Sequence, residues 1–291
     1  MWKKITLHNQ GLILVSAATI CWSSGGLFYR AISLDTWTIS FWRSLFAAVF
    51  LAAAALLHKA RIKHGFRENA VIGCAVVASV AISMATFLPS LALTSVASVA
   101  FIYATSPILA TILGVTFLRE QADRISIVCA FAVALGAAVL MLKTDATSGL
   151  FGNILALVSA LAAVIVGLIA RARPKLPLLS YIAIANALVA ACAAQVAPTL
   201  SVNAVEMIIL ALFAFIQVVL SFILFTSGAR LLPARDTALV KATEGPLSPL
   251  WVWMAFNEQP EFVTLVSGGL ILMAVVTHVA LTKRPEKQPL V

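Results

Sequence analysis

The sequence predicts an all-α integral membrane protein whose ten transmembrane helices form two inverted five-helix repeats. The first of three supporting observations is composition: of 291 residues, 62% are hydrophobic and 11% charged, with a mean hydropathy of +1.04. Soluble proteins have roughly 45–50% apolar residues and about 25% charged ones, so no soluble fold could bury this much apolar surface. The apolar tracts are long enough for membrane-crossing helices, whereas outer-membrane barrels use alternating segments of roughly ten residues.

Ten apolar tracts follow one another with short connections and no soluble domain. The first tract follows Lys3 and Lys4 like a signal peptide, but no small-residue cleavage site comes after it, so we expect it to remain as the first span. The tracts lie at about 1–30, 37–57, 71–92, 96–118, 125–142, 150–170, 178–198, 206–229, 237–256 and 262–282.

The second observation is the distribution of basic residues. A net charge of +9 could indicate a nucleic-acid partner, but the lysines and arginines form short clusters between spans, where they contact lipid head groups. We therefore expect membrane lipid and no nucleic acid. If the N-terminus is cytoplasmic, sixteen of the twenty basic residues face the cytoplasm and two face outside, while Arg43 and Lys241 lie within spans. This alternation predicts that both termini are cytoplasmic.

The third observation is an internal repeat at a constant shift of 138 residues. Residues 87–120 align with 225–258, with Ala-Thr identical at 104–105 and 242–243, and Glu-Gln identical at 120–121 and 258–259. The chain then divides into two five-span halves, 1–145 and 148–291. Because five is odd, the halves have opposite orientations in the membrane. Inverted repeats are typical of secondary transporters, which bind substrate near the midplane between the halves.

The ninth tract, 237–256, carries the strongest functional signal. Lys241 and Glu244 are three residues apart and would share one face of a continuous helix. Ionisable residues within a span indicate a functional site. The two could bind the carboxylate and ammonium of a zwitterionic substrate, Glu244 could carry a proton, or they could form an ion pair that only packs the helix.

Prolines predict kinks at the same depth in both halves. Pro246 and Pro249 each remove a helix hydrogen bond, and Pro246 would leave the carbonyl of Ala242 without its usual partner. In the fourth tract, Pro107 would do the same to the carbonyl of Tyr103. We expect these kinks to soften the central helices and to take part in gating.

Four more residues are candidate substrate contacts: Trp22, Arg43, Tyr103 and Ser106. Trp22 lies deep in its span, whereas tryptophans near span ends belong to the interfacial belt, so Trp22 is the better candidate for stacking on a ligand. Arg43 could attract an anion, extend to the surface or pair across the bundle. Tyr103 and Ser106 lie beside the fourth-tract kink, where packing by a neighbouring helix is the alternative.

Other classes of chemistry have little support in the sequence. The four cysteines are dispersed within spans and form no cluster with histidine, so we expect no metal site and no disulfide framework. The sequence has no P-loop or dinucleotide fingerprint, and the spans hold no nucleophile–base pair. We therefore expect no cofactor and no enzymatic activity.

These motifs resemble the drug/metabolite transporter superfamily, specifically its EamA-type ten-span members. The matching features are the Trp-Ser-Gly run at 21–26, the arginine of FWRSLFAAVF, and a proline-containing segment ending before Glu120 that recurs before Glu258. The resemblance implies a bacterial inner-membrane exporter of small amphipathic metabolites working by alternating access. Its likeness to YddG-type exporters points to aromatic amino acids. A sugar-phosphate or nucleotide-sugar carrier and an uncoupled channel remain alternatives, and the oligomeric state, monomer included, stays open.

Overall fold

The computed structural model describes residues 6–57, 70–94, 99, 102–103, 105–119, 124–141, 149–257 and 262–281, which form helices and short connections with no strand among them. Among these residues, six helical segments are long and apolar enough to cross a membrane, and each coincides with a predicted tract to within a few residues. They are Leu7–Ala31, Thr36–Leu56, Ala70–Leu93, Leu150–Ala172, Leu178–Val196 and Ala204–Ala229. The multi-pass helical membrane architecture is confirmed, whereas the count of ten spans stays a prediction.

Helices of the first predicted half begin at Leu7, where the Thr6 hydroxyl accepts a hydrogen bond from the backbone N–H of Asn9 at 3.3 Å. The first span is interrupted at Ser24, whose hydroxyl donates to the carbonyl of Cys21. The helices are α1 (Leu7–Ser23), α2 (Gly25–Ala31), α3 (Thr36–Leu57), α4 (Ala70–Leu93), α5 (Ser106–Leu118) and α6 (Arg124–Met141).

The second predicted half contains a π-helical segment, Ala214–Leu220, within its third span. That span begins with a capping box, in which Asn203 and Glu206 each accept a hydrogen bond from the other's backbone N–H. The α-helices are α7 (Leu150–Ala172), α8 (Leu178–Val196), α9 (Ala204–Phe213), α10 (Ser221–Ala229), α11 (Ala234–Lys241), α12 (Glu244–Phe256) and α13 (Phe262–Leu281).

The core lies between the two predicted halves. Helix α3 packs on α8, α4 on α7, α1 on α10, α5 on α11 and α6 on α13. Small residues allow the close approach of α1 and α10, because a Cβ on Gly228 would lie 2.8 Å from Val15 Cγ2. Large apolar side chains such as Val71 and Phe131 are exposed, as expected of surfaces that face lipid.

Helices α5 and α12, which lie at the predicted shift of 138 residues, have matching ends. Both span 13 residues and follow a threonine, Thr105 or Thr243, whose hydroxyl donates to the carbonyl three residues earlier at 2.6 and 2.8 Å. Both end at a left-handed residue, Arg119 with φ 53° and Asn257 with φ 55°. The two segments therefore begin and end by the same local geometry.

The ninth tract is broken rather than kinked, which corrects two expectations. Helix α11 ends at Lys241 and α12 begins at Glu244, so these residues do not share the face of one continuous helix. Pro246 falls in the first turn of α12, where a missing N–H costs no helix bond. The carbonyl of Ala242 is not left unpaired either, since it accepts from the N–H of Gly245 at 3.3 Å. The break precedes Pro246 because a proline ring clashes with the carbonyl four residues earlier in a continuous helix.

Candidate functional site

A cavity opens beside the break between α11 and α12, among α1, α3, α4, α7, the π-helical segment and α10. It encloses about 570 Å³ of empty space, open space at its mouth included. Five of the six predicted substrate contacts line it: Trp22, Arg43, Tyr103, Lys241 and Glu244. Ser106 instead lines an adjoining cavity, which shares Ala163, Phe225 and Lys241 with the first.

The Lys241 ammonium lies between two aromatic faces. Its Nζ is 4.7 Å from the ring centroid of Trp22 and 5.6 Å from that of Tyr103, both within the range of cation–π attraction. The Trp22 ring is fixed in turn by edge contacts with Phe222 and Phe225, at centroid distances of 5.5 and 4.9 Å. Lys241 is also the last residue of α11, where the helix dipole favours a cation.

Glu244 is the first residue of α12, where the dipole favours an anion. Its carboxylate interacts electrostatically with Lys241 and Tyr103. Within the part of the chain that the structure describes, neither the Glu244 nor the Lys241 side chain makes a hydrogen bond. The two charges are therefore neighbours on the cavity wall whose hydrogen-bonding capacity is open to a ligand.

Arg43 is fully buried, and its partners among the described residues are neutral. Its Nη1 donates to Gln217 Oε1 at 3.0 Å, its Nη2 to Met84 Sδ at 3.6 Å, and the guanidinium lies 5.4 Å from the ring centroid of Phe213. Its Nε makes no hydrogen bond within the described part of the chain. The Gln217 amide fits here because Gly25 has no side chain; a Cβ there would lie 2.6 Å from Gln217 Nε2. The side chain does not reach the surface, and its hydrogen bond to Gln217 crosses the bundle, while the attraction of an anion by Arg43 stays a prediction.

Tyr103 is held by two serines that the sequence analysis did not single out. Its hydroxyl is 2.6 Å from Ser159 Oγ, and Ser159 donates to the carbonyl of Ser83 at 2.8 Å while lying 3.2 Å from Ser83 Oγ. The Tyr103 ring also meets Phe87 edge-on at 5.8 Å. A sequence signal for Ser159 exists in Leu-Val-Ser-Ala, which occurs at residues 14–17 and again at 157–160.

The predicted gating prolines lie at the start of the two central helices. Pro107 is the second residue of α5 and Pro246 the third of α12, so both follow a break rather than cause a mid-helix kink. Pro249 lies inside α12. Pro89 is a further buried proline inside a helix, and α4 continues through it from Ala70 to Leu93.

Comparison with known proteins bears on the first half of the chain. Residues 9–142 match the EamA-like transporter family. This match supports the drug/metabolite transporter superfamily and a membrane protein that moves small molecules, and because the family members are transporters it also supports a non-enzymatic role.

No curated protein matches the chain. A solved structure titled "Crystal structure of protein" matches over 94% of this chain and 98% of its own, with a TM-score of 0.80 and 15% sequence identity. At that identity the likeness concerns the fold alone.

Proposed function

We propose that the protein is a secondary transporter that exports small amphipathic metabolites by alternating access, with amino acids, aromatic ones foremost, as substrates. The observation that carries the proposal is the convergence of Arg43, Lys241 and Glu244 on one cavity within a bundle of membrane helices. Charges inside a membrane are costly and typically mark substrate or ion pathways. The match to EamA-like transporters supports the same conclusion.

The chemistry of the cavity suits an amphipathic substrate. Arg43 and Lys241 present hydrogen-bond donors to a carboxylate, and Glu244 presents an acceptor to an ammonium. The rest of the wall is largely apolar and includes the rings of Trp22 and Tyr103, which can pack against an apolar or aromatic side chain.

Alternating access also requires two halves that can move about a shared site. The matching ends of α5 and α12 support a repeat. The packing supports it as well, because the first span of one half packs on the third span of the other in both directions: α1 on α10, and α7 on α4. Helices α3 and α8, and α6 and α13, pack on their own counterparts, and α5 packs on α11, which belongs to the same predicted span as its counterpart α12. We therefore retain ten spans in two inverted halves, 1–145 and 148–291, with both termini in the cytoplasm of a bacterium.

The adjoining cavity supports an approach from the cytoplasm. It meets the first cavity at Ala163, Phe225 and Lys241, and extends past them to Leu168 and Thr237. In the proposed orientation, the end of α7 and the start of α11 face the cytoplasm. A substrate from that side would meet Lys241 at the junction of the two cavities.

Uptake of labelled phenylalanine and leucine into proteoliposomes tests the proposal, with wild type compared with Lys241→Ala, Glu244→Gln and the exposed control Lys175→Ala. We expect wild-type uptake to saturate and to show counterflow. Either cavity variant should lower the uptake rate about 10- to 100-fold, since a hydrogen bond to a charged group contributes about 1.5–3 kcal/mol. The control should retain wild-type uptake. Flux that does not saturate and scales with voltage would identify a channel, and full uptake by both cavity variants would remove Lys241 and Glu244 from the site.

A second candidate function is a carrier of sugar phosphates or nucleotide sugars. The observation in its favour is that one cavity holds two cations, Arg43 and Lys241, which suit phosphate oxygens. Such a carrier would be inhibited by phosphate esters more strongly than by amino acids in the same uptake assay.

A further inference from the structure

The charges that line the central cavity do not cancel. Its described wall holds two cations, Arg43 and Lys241, and one carboxylate, Glu244, which leaves one positive charge without a partner. Asp236 is buried at the start of α11 but lines neither this cavity nor the adjoining one. An uncompensated charge inside a helical bundle costs free energy, because the protein interior solvates charge poorly.

The neighbours of Arg43 do not supply the missing negative charge. Its guanidinium contacts an amide oxygen of Gln217, a thioether of Met84 and the ring of Phe213, all of which are neutral. Arginine does not lose its proton in proteins, so the charge cannot be relieved by deprotonation. The Nε has no acceptor among the described residues and the side chain has no exposed surface, so the guanidinium charge is buried without an anionic partner there.

Lys241, which also lines the cavity, has hydrogen-bond donors without a partner among the described residues. Aromatic faces attract its ammonium without accepting conventional hydrogen bonds from it, and its side chain has no hydrogen-bond partner among the described residues. Because Lys241 borders both cavities, it is placed to meet an incoming anion first. Glu244 beside it disfavours a second negative charge on the ligand.

We propose that, among ligands with the same apolar or aromatic body, the cavity binds an organic anion with a single net negative charge most tightly, ahead of the zwitterionic amino acids. Such a ligand brings the cavity to neutrality, whereas a zwitterion leaves one positive charge and a dianion leaves one negative charge. The largely apolar wall, with the rings of Trp22 and Tyr103, receives the body of the ligand. That such an anion is also transported rests on the proposed function, whereas the charge preference is a property of the binding cavity.

Four probes that share a phenyl ring and differ in head group test this preference: hydrocinnamate, phenylalanine, phenethylamine and phenyl phosphate. Calorimetric titration of the full chain in nanodiscs, at a pH where phenyl phosphate is a dianion, measures each Kd. We expect hydrocinnamate to bind at least about tenfold more tightly than phenylalanine, a difference of about 1.4 kcal/mol, with phenethylamine weakest. Equal or tighter binding of phenylalanine or phenyl phosphate would overturn the inference, and so would the failure of all four to bind.

Charge variants should move the preference in opposite directions. Lys241→Gln removes one cation and makes the cavity neutral, so phenylalanine and hydrocinnamate should bind with equal Kd. A folded Arg43→Gln protein should give the same result. Glu244→Gln raises the excess charge and should favour phenyl phosphate by about tenfold relative to wild type, which is about 1.4 kcal/mol. Lys175→Gln changes the net charge of the protein at an exposed position and should alter nothing. An unchanged order of affinities in both Lys241→Gln and Glu244→Gln would refute charge balance as the cause.

Transport of the same probes separates the two proposals. If hydrocinnamate binds most tightly but none of the four probes, phenylalanine included, shows counterflow, the proposed transporter function fails and the charge inference stands. If phenylalanine is transported and binds as tightly as hydrocinnamate, the transporter function stands and the charge inference fails.

Discussion

Replacing Ser159 by alanine tests whether one hydroxyl ties together three segments of the cavity wall. In the structure Ser159 Oγ is 2.6 Å from the Tyr103 hydroxyl and 3.2 Å from Ser83 Oγ, and donates to the Ser83 carbonyl at 2.8 Å. Side-chain hydrogen bonds between transmembrane helices contribute about 0.6 kcal/mol each, so the loss of all three should cost about 2 kcal/mol. Alanine introduces no bulk, and no steric effect should add to this value.

The free energy of unfolding is measured by titrating sodium dodecyl sulfate into mixed micelles and following helicity. Ser83→Ala keeps the backbone carbonyl and removes one of the three bonds, so it should cost about 0.6 kcal/mol. Ser227→Ala is the matched control, because that exposed hydroxyl donates within its own helix to the carbonyl of Ile223. We expect a change close to zero in the control.

Two outcomes would refute this reasoning. The first is a Ser159→Ala protein no less stable than Ser227→Ala. The second is strict additivity of Ser159→Ala with Tyr103→Phe, because residues that share a hydrogen bond should show a coupling energy in a double-mutant cycle. Since the Tyr103 ring lies 5.6 Å from Lys241 Nζ, Ser159→Ala should also weaken substrate binding, whereas the control should not.

Two further predictions concern the backbone. Gly228→Ala would place a Cβ 2.8 Å from Val15 Cγ2 and 2.9 Å from a backbone carbonyl oxygen of α1, so unfolding free energy should fall by about 1–3 kcal/mol. At Gly269 an added Cβ would have no neighbour within 4 Å, so Gly269→Ala should leave the unfolding free energy unchanged or raise it. An equal loss of unfolding free energy in Gly228→Ala and Gly269→Ala would contradict this reasoning. Replacing Pro246 and Pro249 by alanine should lower the counterflow rate more than the affinity, because in the proposed mechanism the two halves rock about these helices. Unchanged turnover would count against that role.

Much of the architecture could be predicted from the sequence, because the bilayer imposes a length and an apolarity that are local properties of the chain. Six predicted tracts coincide with helices able to span a membrane. The ends of α5 and α12 lie at the shift of 138 residues that the repeat predicts. Residues that line the cavity could also be singled out from the sequence, because charged side chains such as Arg43, Lys241 and Glu244 are rare within spans; their role in binding stays a prediction.

The position of the helix break was not predictable in the same way. A proline restricts the helix around it but does not specify whether the chain bends at the proline or restarts before it. The restart at Glu244 depends on local geometry that places Pro246 in a first turn. This outcome separates Lys241 and Glu244 onto two helix ends, each of which suits the sign of its charge.

By itself, the sequence determined that the chain is a helical membrane protein and which few ionisable residues its apolar spans carry. Only the tertiary structure decided what those residues contact. The hydrogen bond from Arg43 to Gln217 joins residues 174 positions apart, and the one between Tyr103 and Ser159 joins residues 56 positions apart. Contacts across such separations are set by how the helices pack, and helix packing in lipid depends on close fit and polar partners rather than on the local apolarity that a sequence displays.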